Sequence, residues 1–211
     1  MLHFAKFRKS YGSYLALAIE DLTILSGIYW IKGVNGSGKS TLLKTMAGIL
    51  YFDGDISINK QISLKNQAIA YRQLVNFAEA EPIFPEFLTG KELVQVFAAA
   101  KNAPTGQEDY YIESMHLQPY LNQPVSTYSS GMLKKLSLVL AFMGKPRIIL
   151  LDEPLITLDQ AALNIFYKWI AREHQQNKTS FFISSHQALE PEALPTAKEI
   201  LLQAQTLHFI S

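Results

Sequence analysis

A glycine-rich loop near the N-terminus has the residue types and the spacing needed to bind a nucleotide triphosphate. Residues 33–41 read Gly-Val-Asn-Gly-Ser-Gly-Lys-Ser-Thr and fit the phosphate-loop pattern of Gly, four free positions and Gly-Lys-Ser. Glycines let backbone N–H groups wrap the phosphates, Lys39 can reach the β- and γ-phosphates, and Ser40 can bind Mg²⁺. The residues assigned to nucleotide binding here are Gly33, Asn35, Gly36, Ser37, Gly38, Lys39, Ser40 and Thr41.

The flanks of this loop have the secondary structure that the motif requires. Residues 28–31 are an apolar, β-prone run, and apolar residues recur at helical spacing after the loop at Leu42, Leu43, Met46 and Ile49. The order strand, loop, helix favours a true phosphate loop over a Gly/Ser-rich surface turn that matches by chance.

Two acidic residues follow a second apolar strand and complete a candidate catalytic set. Asp152 and Glu153 come directly after residues 148–151, and catalytic groups belong at the carboxyl end of such a strand. Asp152 is predicted to hold Mg²⁺ and Glu153 to orient the attacking water. The alternative is a pair of solvated acids in a loop. His186 follows the strand at 181–185 in the same way and could bind the γ-phosphate.

An aromatic residue near the phosphate loop could stack on the adenine base. Tyr11 and Tyr14 are both candidates, and each could equally be a packed strand residue. We favour Tyr11 as the adenine-stacking residue.

Further patterns predict the surrounding elements. Residues 2–31 suggest short antiparallel strands before the loop, and alternating apolar residues at 56–64 suggest a hairpin. Thr89 and Glu92 fit a capping box that begins a helix, and a second helix is expected to end near His116.

The C-terminal part reads as a βαβ unit followed by shorter pieces. Leu163, Phe166 and Ile170 predict one face of a helix between the strands at 148–151 and 181–185. A short helix is expected near Pro191 and Pro195, followed by a last hairpin within 200–210.

Composition excludes several classes of protein. The 211 residues carry 19 basic and 18 acidic side chains, so no overall charge favours nucleic acid. The chain has no cysteine, which excludes disulfides and thiolate chemistry. No apolar run approaches the roughly 18 residues that span a bilayer, and no signal peptide is apparent. We therefore expect a cytoplasmic protein.

Taken together, these motifs resemble the ATP-binding cassette family, the nucleotide-binding subunits of ABC transporters. Residues 33–41 look like its Walker A loop, and residues 148–153 look like Walker B with the catalytic glutamate. His186 occupies the position where the family has its switch histidine. Residues 128–132, Tyr-Ser-Ser-Gly-Met, resemble its Leu-Ser-Gly-Gly-Gln signature, and Leu158-Asp159 resembles the D-loop.

The resemblance implies a head-to-tail dimer with two ATP molecules between the chains. Each site would combine Lys39 and Glu153 of one chain with the signature residues Ser129, Ser130 and Gly131 of the other, and Asp159 would lie in the D-loop. A homodimer is expected, as is an integral membrane partner at the inner face of the membrane. ATP and Mg²⁺ are the implied ligands.

Two departures from the family pattern concern the signature and the Q-loop. Ser130 replaces the first glycine of the signature and Met132 its glutamine, while the residues that touch phosphate remain. Glu79 aligns best with the Q-loop glutamine, with Ala80 and Glu81 as close competitors, and it could ligate Mg²⁺ or be a solvated acid. Apolar residues nearby are a candidate docking surface for the partner, or core residues: Phe77, Ile83, Phe84, Phe87 and Leu88.

The predicted fold is α/β: a P-loop NTPase of the RecA-like type, with a parallel-sheet core, N-terminal antiparallel β-strands and a helical subdomain. Residues 1–211 would form one domain, with the core at about 1–84 and 144–211 and the helical subdomain at about 85–143.

The favoured function is the ATP-hydrolysing subunit of an ABC transporter. The alternative is a soluble ABC-type ATPase for assembly, such as that of iron–sulfur clusters, or for mechanical work. A phosphate-loop kinase is disfavoured by the signature and by Glu153 directly after Asp152. The cargo and its direction would be set by the membrane partner.

Overall fold

A computed structural model describes residues 1–210 and begins with an antiparallel sheet. Its strands are β1 (Leu2–Tyr11), β2 (Tyr14–Ile24), β4 (Asp53–Ile58) and β5 (Ile62–Ser63), in the order β2-β1-β4-β5. The predicted hairpin at 56–64 is therefore confirmed. The first two strands are longer than expected, because buried residues recur along most of each strand.

The second sheet carries the residues of the predicted site. Its six strands are β3 (Ile28–Lys32), β6 (Val75–Ala78), β7 (Ile148–Asp152), β8 (Ser180–Ser184), β9 (Ala197–Gln203) and β10 (Thr206–Ile210). They lie in the order β10-β9-β3-β8-β7-β6, and all pairs are parallel except β9 with β10. The predicted parallel core and the C-terminal hairpin are both present.

Six α-helices surround the sheets within residues 1–210. They are α1 (Lys39–Met46), α2 (Ala68–Leu74), α3 (Gly90–Ala100), α4 (Gln107–Ser114), α5 (Ser130–Ala141) and α6 (Gln160–Asn177). The capping box predicted at the start of α3 is confirmed: Glu92 N donates to Thr89 Oγ1 at 3.2 Å, and Thr89 N donates to Glu92 Oε2 at 2.8 Å. None of the six helices is long and apolar enough to cross a membrane.

Helices α3, α4 and α5 all fall within the range predicted for the helical subdomain. The division of the chain into a core and a subdomain itself stays a prediction. Two elements before this range were not anticipated. Helix α2 is only seven residues long and fully buries only Tyr71, with Ala68 and Leu74 partly buried beside it, so its apolar pattern is too short to predict a helix. Strand β6 is only four residues long.

The prediction of a short helix near Pro191 and Pro195 is wrong. Residues 190–194 form a single turn, in which the N–H groups of Ala193 and Leu194 both donate to Glu190 O at 3.1 Å. Pro195 has no N–H group to continue the ladder, so the turn does not grow into a helix.

The parallel sheet is buried on both faces, and successive residues of a strand serve different cores. In β7, Ile148 and Leu150 pack with α1 and the antiparallel sheet, whereas Ile149 and Leu151 pack with the helices of the opposite face. This explains why β7 reads as a continuous apolar run rather than an alternating one.

An aromatic cluster joins the helices to the sheet on that opposite face. Phe142, just after α5, lies 5.2 Å from Trp169 of α6 and 5.8 Å from Phe181 of β8, measured between ring centroids. Tyr111 of α4 meets Trp169 edge-on at 4.8 Å and donates its hydroxyl to buried Glu173 at 2.9 Å. The cluster therefore holds α4, α5 and α6 against β8.

Phe142→Ala should lower the free energy of unfolding by about 3–5 kcal/mol, because it leaves a cavity at the centre of this cluster. Val96→Ala on the exposed face of α3 is the matched control, with an expected change within about 0.5 kcal/mol. Urea denaturation followed by circular dichroism measures both. Equal effects of the two substitutions would contradict the packing described here.

Candidate functional site

The site forms where three neighbouring strands end. β8 lies between β3 and β7, and because all three are parallel their carboxyl ends meet at one edge of the sheet. Residues 33–38 follow β3, Asp152 and Glu153 end β7 and follow it, and His186 lies just beyond β8. Sequence-distant groups are thereby brought to the crevice at which open α/β sheets bind ligands.

The glycine-rich loop depends on its glycines at named positions. Gly38 caps α1 with φ of 102°, a left-handed conformation that costs glycine little. At Gly33, a Cβ would lie 2.6 Å from Ser37 Oγ and 2.9 Å from Leu202 O, so a larger residue cannot fit. No side chain caps α1, whose first N–H groups and dipole therefore favour an anion.

Lys39 is held within the loop that it serves. Its Nζ donates to Gly33 O at 2.8 Å and to Val34 O at 3.3 Å, and the side chain is largely buried. The cation is thus fixed beside the loop N–H groups, so a phosphate bound there would meet both kinds of donor.

The loop and the two polar strand ends line one cavity of about 440 Å³. Its lining consists of Asn35, Gly36, Ser37, Gly38, Lys39, Ser40, Thr41, Glu153 and His186. The structure therefore brings most of the predicted nucleotide-binding residues together with both predicted catalytic residues.

Glu153 and His186 contact each other in the wall of this cavity. His186 Nε2 lies 3.4 Å from Glu153 Oε1, and His186 N donates to Glu153 Oε2 at 3.2 Å. Glu153 has φ of 44°, a strained conformation for a residue with a side chain, and its N–H donates to Ser184 O at 3.0 Å. Such strain costs about 1–3 kcal/mol and is typical of functional positions.

Asp152 is buried at the end of β7 rather than exposed in a loop, and it does not line the cavity. Its Oδ1 accepts a hydrogen bond from Ser184 Oγ at 2.5 Å, and the two residues are register partners in β7 and β8. The reading of solvated acids therefore fails for Asp152. Sequence reasoning missed Ser184, although its place at the end of an apolar strand was a usable signal.

Tyr11 lies at the end of β1, next to the phosphate loop's helix. Its hydroxyl is 3.3 Å from Thr41 Oγ1, its side chain is 49% exposed, and Lys9 Nζ lies 4.5 Å from the ring centroid. A half-exposed ring beside the loop suits stacking on a base better than core packing. Tyr14 is also exposed but lines a separate cavity with Ser37 and the β9–β10 turn.

The signature residues lie outside the 440 Å³ cavity. Ser129 caps α5, its Oγ accepting from Met132 N at 3.2 Å. A Cβ on Gly131 would stand 3.2 Å from Thr157 O, so the predicted signature lies against the residue that precedes the predicted D-loop of the same chain. Asp159 caps α6, accepting from Ala162 N at 2.8 Å. Within residues 1–210, then, this element lines no part of the cavity.

The segment predicted to be the D-loop, 158–159, is anchored through Asp159, and Thr157 just before it has a strained backbone. Two hydrogen bonds hold the pKa of Asp159 below its ordinary value. The bond from Ala162 N has the larger effect, and the bond from Lys135 Nζ at 2.9 Å comes second. Thr157 has φ of 68°, which is unusual for a β-branched residue. Sequence reasoning did not identify Thr157, because its backbone conformation is set by its surroundings.

Glu79 is not brought to the cavity. It follows β6, its carboxylate forms an ion pair with Lys44 of α1, and it lines a separate groove of about 580 Å³. Its backbone carbonyl accepts a hydrogen bond from Lys134 Nζ at 3.1 Å. Burial lowers the pKa of Lys134 to about 8, opposed by the carboxylates around it, Asp152 first among them. A metal-binding role for Glu79 stays a prediction.

Comparison with known protein families finds one that covers most of the chain. The family model described as "ABC transporter" matches residues 22–156. Over 196 residues the chain is 29% identical to the phospholipid-transporting ATPase ABCA3 of Rattus norvegicus, and over 197 residues 31% identical to the glucosylceramide transporter ABCA12 of Homo sapiens. These matches cover 90% of this chain but only 11% and 8% of those much longer proteins.

Solved structures agree with the fold. An ATP-binding subunit of an ABC transporter superposes with a TM-score of 0.87 at 23% identity, covering 100% of this chain and 90% of the other. A dimeric ATP-binding cassette in a post-hydrolysis state, bound to ADP and phosphate, gives a TM-score of 0.84 at 20% identity and covers 100% and 99%. The predicted P-loop fold class is thereby confirmed.

Lys39→Ala should weaken ATP binding roughly 10- to 100-fold, because a hydrogen bond to a charged group contributes about 1.5–3 kcal/mol. Lys65→Ala, which removes an exposed lysine away from the cavity, should leave the affinity unchanged. Isothermal titration calorimetry measures both variants after a thermal melt confirms their folding. Wild-type affinity in a folded Lys39→Ala protein would contradict the assignment of this side chain.

Proposed function

Because the chain belongs to the ABC transporter family, we propose that it binds and hydrolyses ATP and thereby drives a membrane-embedded partner. The observation that carries this proposal is the single cavity in which the phosphate loop meets Glu153 and His186. Phosphoryl transfer to water needs little covalent help from a protein, and its catalysis rests on positioning and charge. That cavity supplies both.

ATP would be bound from its two ends. The loop N–H groups, Lys39 and the start of α1 would hold the phosphates, and Tyr11 would stack on the adenine. Ser40 and Asp152 would hold Mg²⁺, since hydroxyl and carboxylate oxygens are the hard ligands that this ion prefers. Bound there, Mg²⁺ would neutralise charge on the β- and γ-phosphate oxygens.

Glu153 is the proposed base. Its carboxylate lines the cavity that would hold the γ-phosphate. It could therefore accept a proton from a water molecule that attacks the γ-phosphorus opposite the breaking P–O bond. His186, within 3.4 Å of that carboxylate, would orient it and donate to the γ-phosphate. The strained backbone of Glu153 keeps the carboxylate aimed into the cavity.

The working unit in this proposal is a two-fold dimer. The signature residues Ser129, Ser130 and Gly131 would cover the cavity of the second chain, and Asp159 would lie at the same interface. A dimeric cassette with a very similar fold supports this arrangement. Two-fold symmetry makes both sites equivalent when the chains are identical, so we propose a homodimer.

The partner is proposed to be an integral membrane protein, which would place the chain at the inner face of the membrane. Its docking site would be the 580 Å³ groove between β6 and α3, where Ile83 is 89% exposed and Phe84 lines the wall. Exposed apolar groups beside a groove are typical of interaction sites. The relatives ABCA3 and ABCA12 are named as transporters, which supports this reading over an assembly or mechanical ATPase.

Glu153→Gln should reduce kcat for ATP hydrolysis by roughly 10²–10⁴, because the amide cannot accept the proton of the attacking water. ATP affinity should be retained and the ATP-bound dimer should accumulate. Sedimentation velocity would measure the dimer. Glu20→Gln, a matched change at an exposed position of β2, should leave turnover unchanged. Near-normal hydrolysis by Glu153→Gln would remove this residue from the mechanism.

Ile83→Glu should abolish co-purification of a polytopic membrane protein from gently solubilised cells of the source organism, because it replaces an 89% exposed apolar side chain of the groove with a charge. The control is Ile69→Glu, a residue 79% exposed on α2 that does not line the groove. Mass spectrometry of proteins bound to the tagged wild type and both variants gives the answer. Capture of soluble partners alone would favour the assembly or mechanical ATPase.

A further inference from the structure

Lys134 is a buried lysine that the mechanism above does not use. It lies on α5, five residues after Ser129, and only 2% of it is exposed. Its Nζ donates to the backbone carbonyls of Glu79 at 3.1 Å and of Ala80 at 2.6 Å. A buried ammonium is costly unless it is paired or hydrogen-bonded, so these two bonds fix both partners firmly.

The two carbonyls belong to the loop that leaves β6, and this loop is tied to the phosphate loop's helix. The Glu79 carboxylate pairs with Lys44 of α1, and α1 begins at Lys39. A continuous set of contacts therefore runs from Ser129 along α5 to Lys134, then through Glu79 and Lys44 to the phosphate loop of the same chain.

We propose that Lys134 is a positioning residue that sets the signature helix relative to the phosphate loop of its own chain, so that two chains can close around ATP. The inference rests on the proposed function, in which each signature covers the partner's cavity. In a two-fold dimer both sites close together only if this spacing is the same in each chain. A lysine that fixes the spacing acts on closure and not on the first binding of ATP.

The Lys134 side chain also connects the docking groove to this spacing. The groove contains Glu79, Ile83 and Phe84, which follow β6 in one loop, and Lys134 binds the start of that loop. A partner that moves the loop would therefore move α5 with it. The contact offers a physical route between the groove and the signature.

Lys101 provides a matched control at the other end of β6. It too is a partly buried lysine whose Nζ donates to two backbone carbonyls, those of Arg72 and, at 3.0 Å, of Val75. It follows α3 and lines the docking groove, as the loop after β6 does, but both hydrogen bonds of its Nζ go to α2 and to the first residue of β6. Removing either cation should cost stability, but only Lys134 should affect closure.

The test compares Lys134→Met, Lys134→Arg and Lys101→Met in three measurements. In Lys134→Met, the Kd for ATP of the dilute monomer should stay within about twofold, because Lys134 lies outside the cavity. The Kd of the ATP-bound dimer, measured by sedimentation in the Glu153→Gln background, should rise about tenfold, and kcat in the active background should fall about tenfold. Lys134→Arg, which keeps a charged donor, should recover most of both losses.

Unchanged dimerisation in Lys134→Met, or an equal loss in Lys101→Met, would overturn the inference and leave a purely structural role. Hydrogen exchange keeps the test valid if dimerisation is weak: exchange in residues 79–84 should accelerate in Lys134→Met and not in Lys134→Arg. Failure of the proposed function is a separate result, since the wild type would then neither hydrolyse ATP nor dimerise with it.

Discussion

The parallel pairing of β8 between β3 and β7 is the constraint on which the cavity depends. It carries the phosphate loop, the end of β7 and His186 to one edge of the sheet, although the phosphate loop precedes the other two by more than a hundred residues of chain. Both faces of these strands are buried, so a shift of one residue would exchange the two cores and move every functional group. The large hydrophobic core thus secures the geometry of a small polar site.

Several candidate functional groups, at this edge and in the predicted signature, already have partners within the chain. Lys39 binds carbonyls of its own loop, Glu153 contacts His186, and Ser129 caps its helix. Binding a phosphate therefore exchanges hydrogen bonds more than it adds them, which limits the net gain from each contact. The backbone strain at Glu153 and Thr157 is sustained by the burial around them, as is usual where geometry serves function.

The helices between β6 and β7 are tied closely to the edge of the sheet. Asn76 of β6 donates to Ala141 O at 2.7 Å and to Met143 O at 2.8 Å. Buried Lys134 of α5 and partly buried Lys101 after α3 bind carbonyls at opposite ends of β6. The groove, the signature helix and the phosphate loop consequently share one framework. Three residues of α5, Ser137, Leu140 and Ala141, line the groove themselves, so the groove and the signature helix are in direct contact.

The sequence by itself determined the chemistry that depends on local spacing: the phosphate loop, the carboxylates after β7, His186 and the order of most elements. Short-range patterns encode these features, because a turn, a cap or a buried strand is recognisable within a few residues. Only the tertiary structure shows that Glu79 pairs with Lys44, that Lys134 Nζ hydrogen-bonds the loop after β6, and that α2 and β6 form. Each of these depends on contacts between residues dozens of positions apart, or on a segment with little apolar pattern of its own, and only the packed fold brings such partners together.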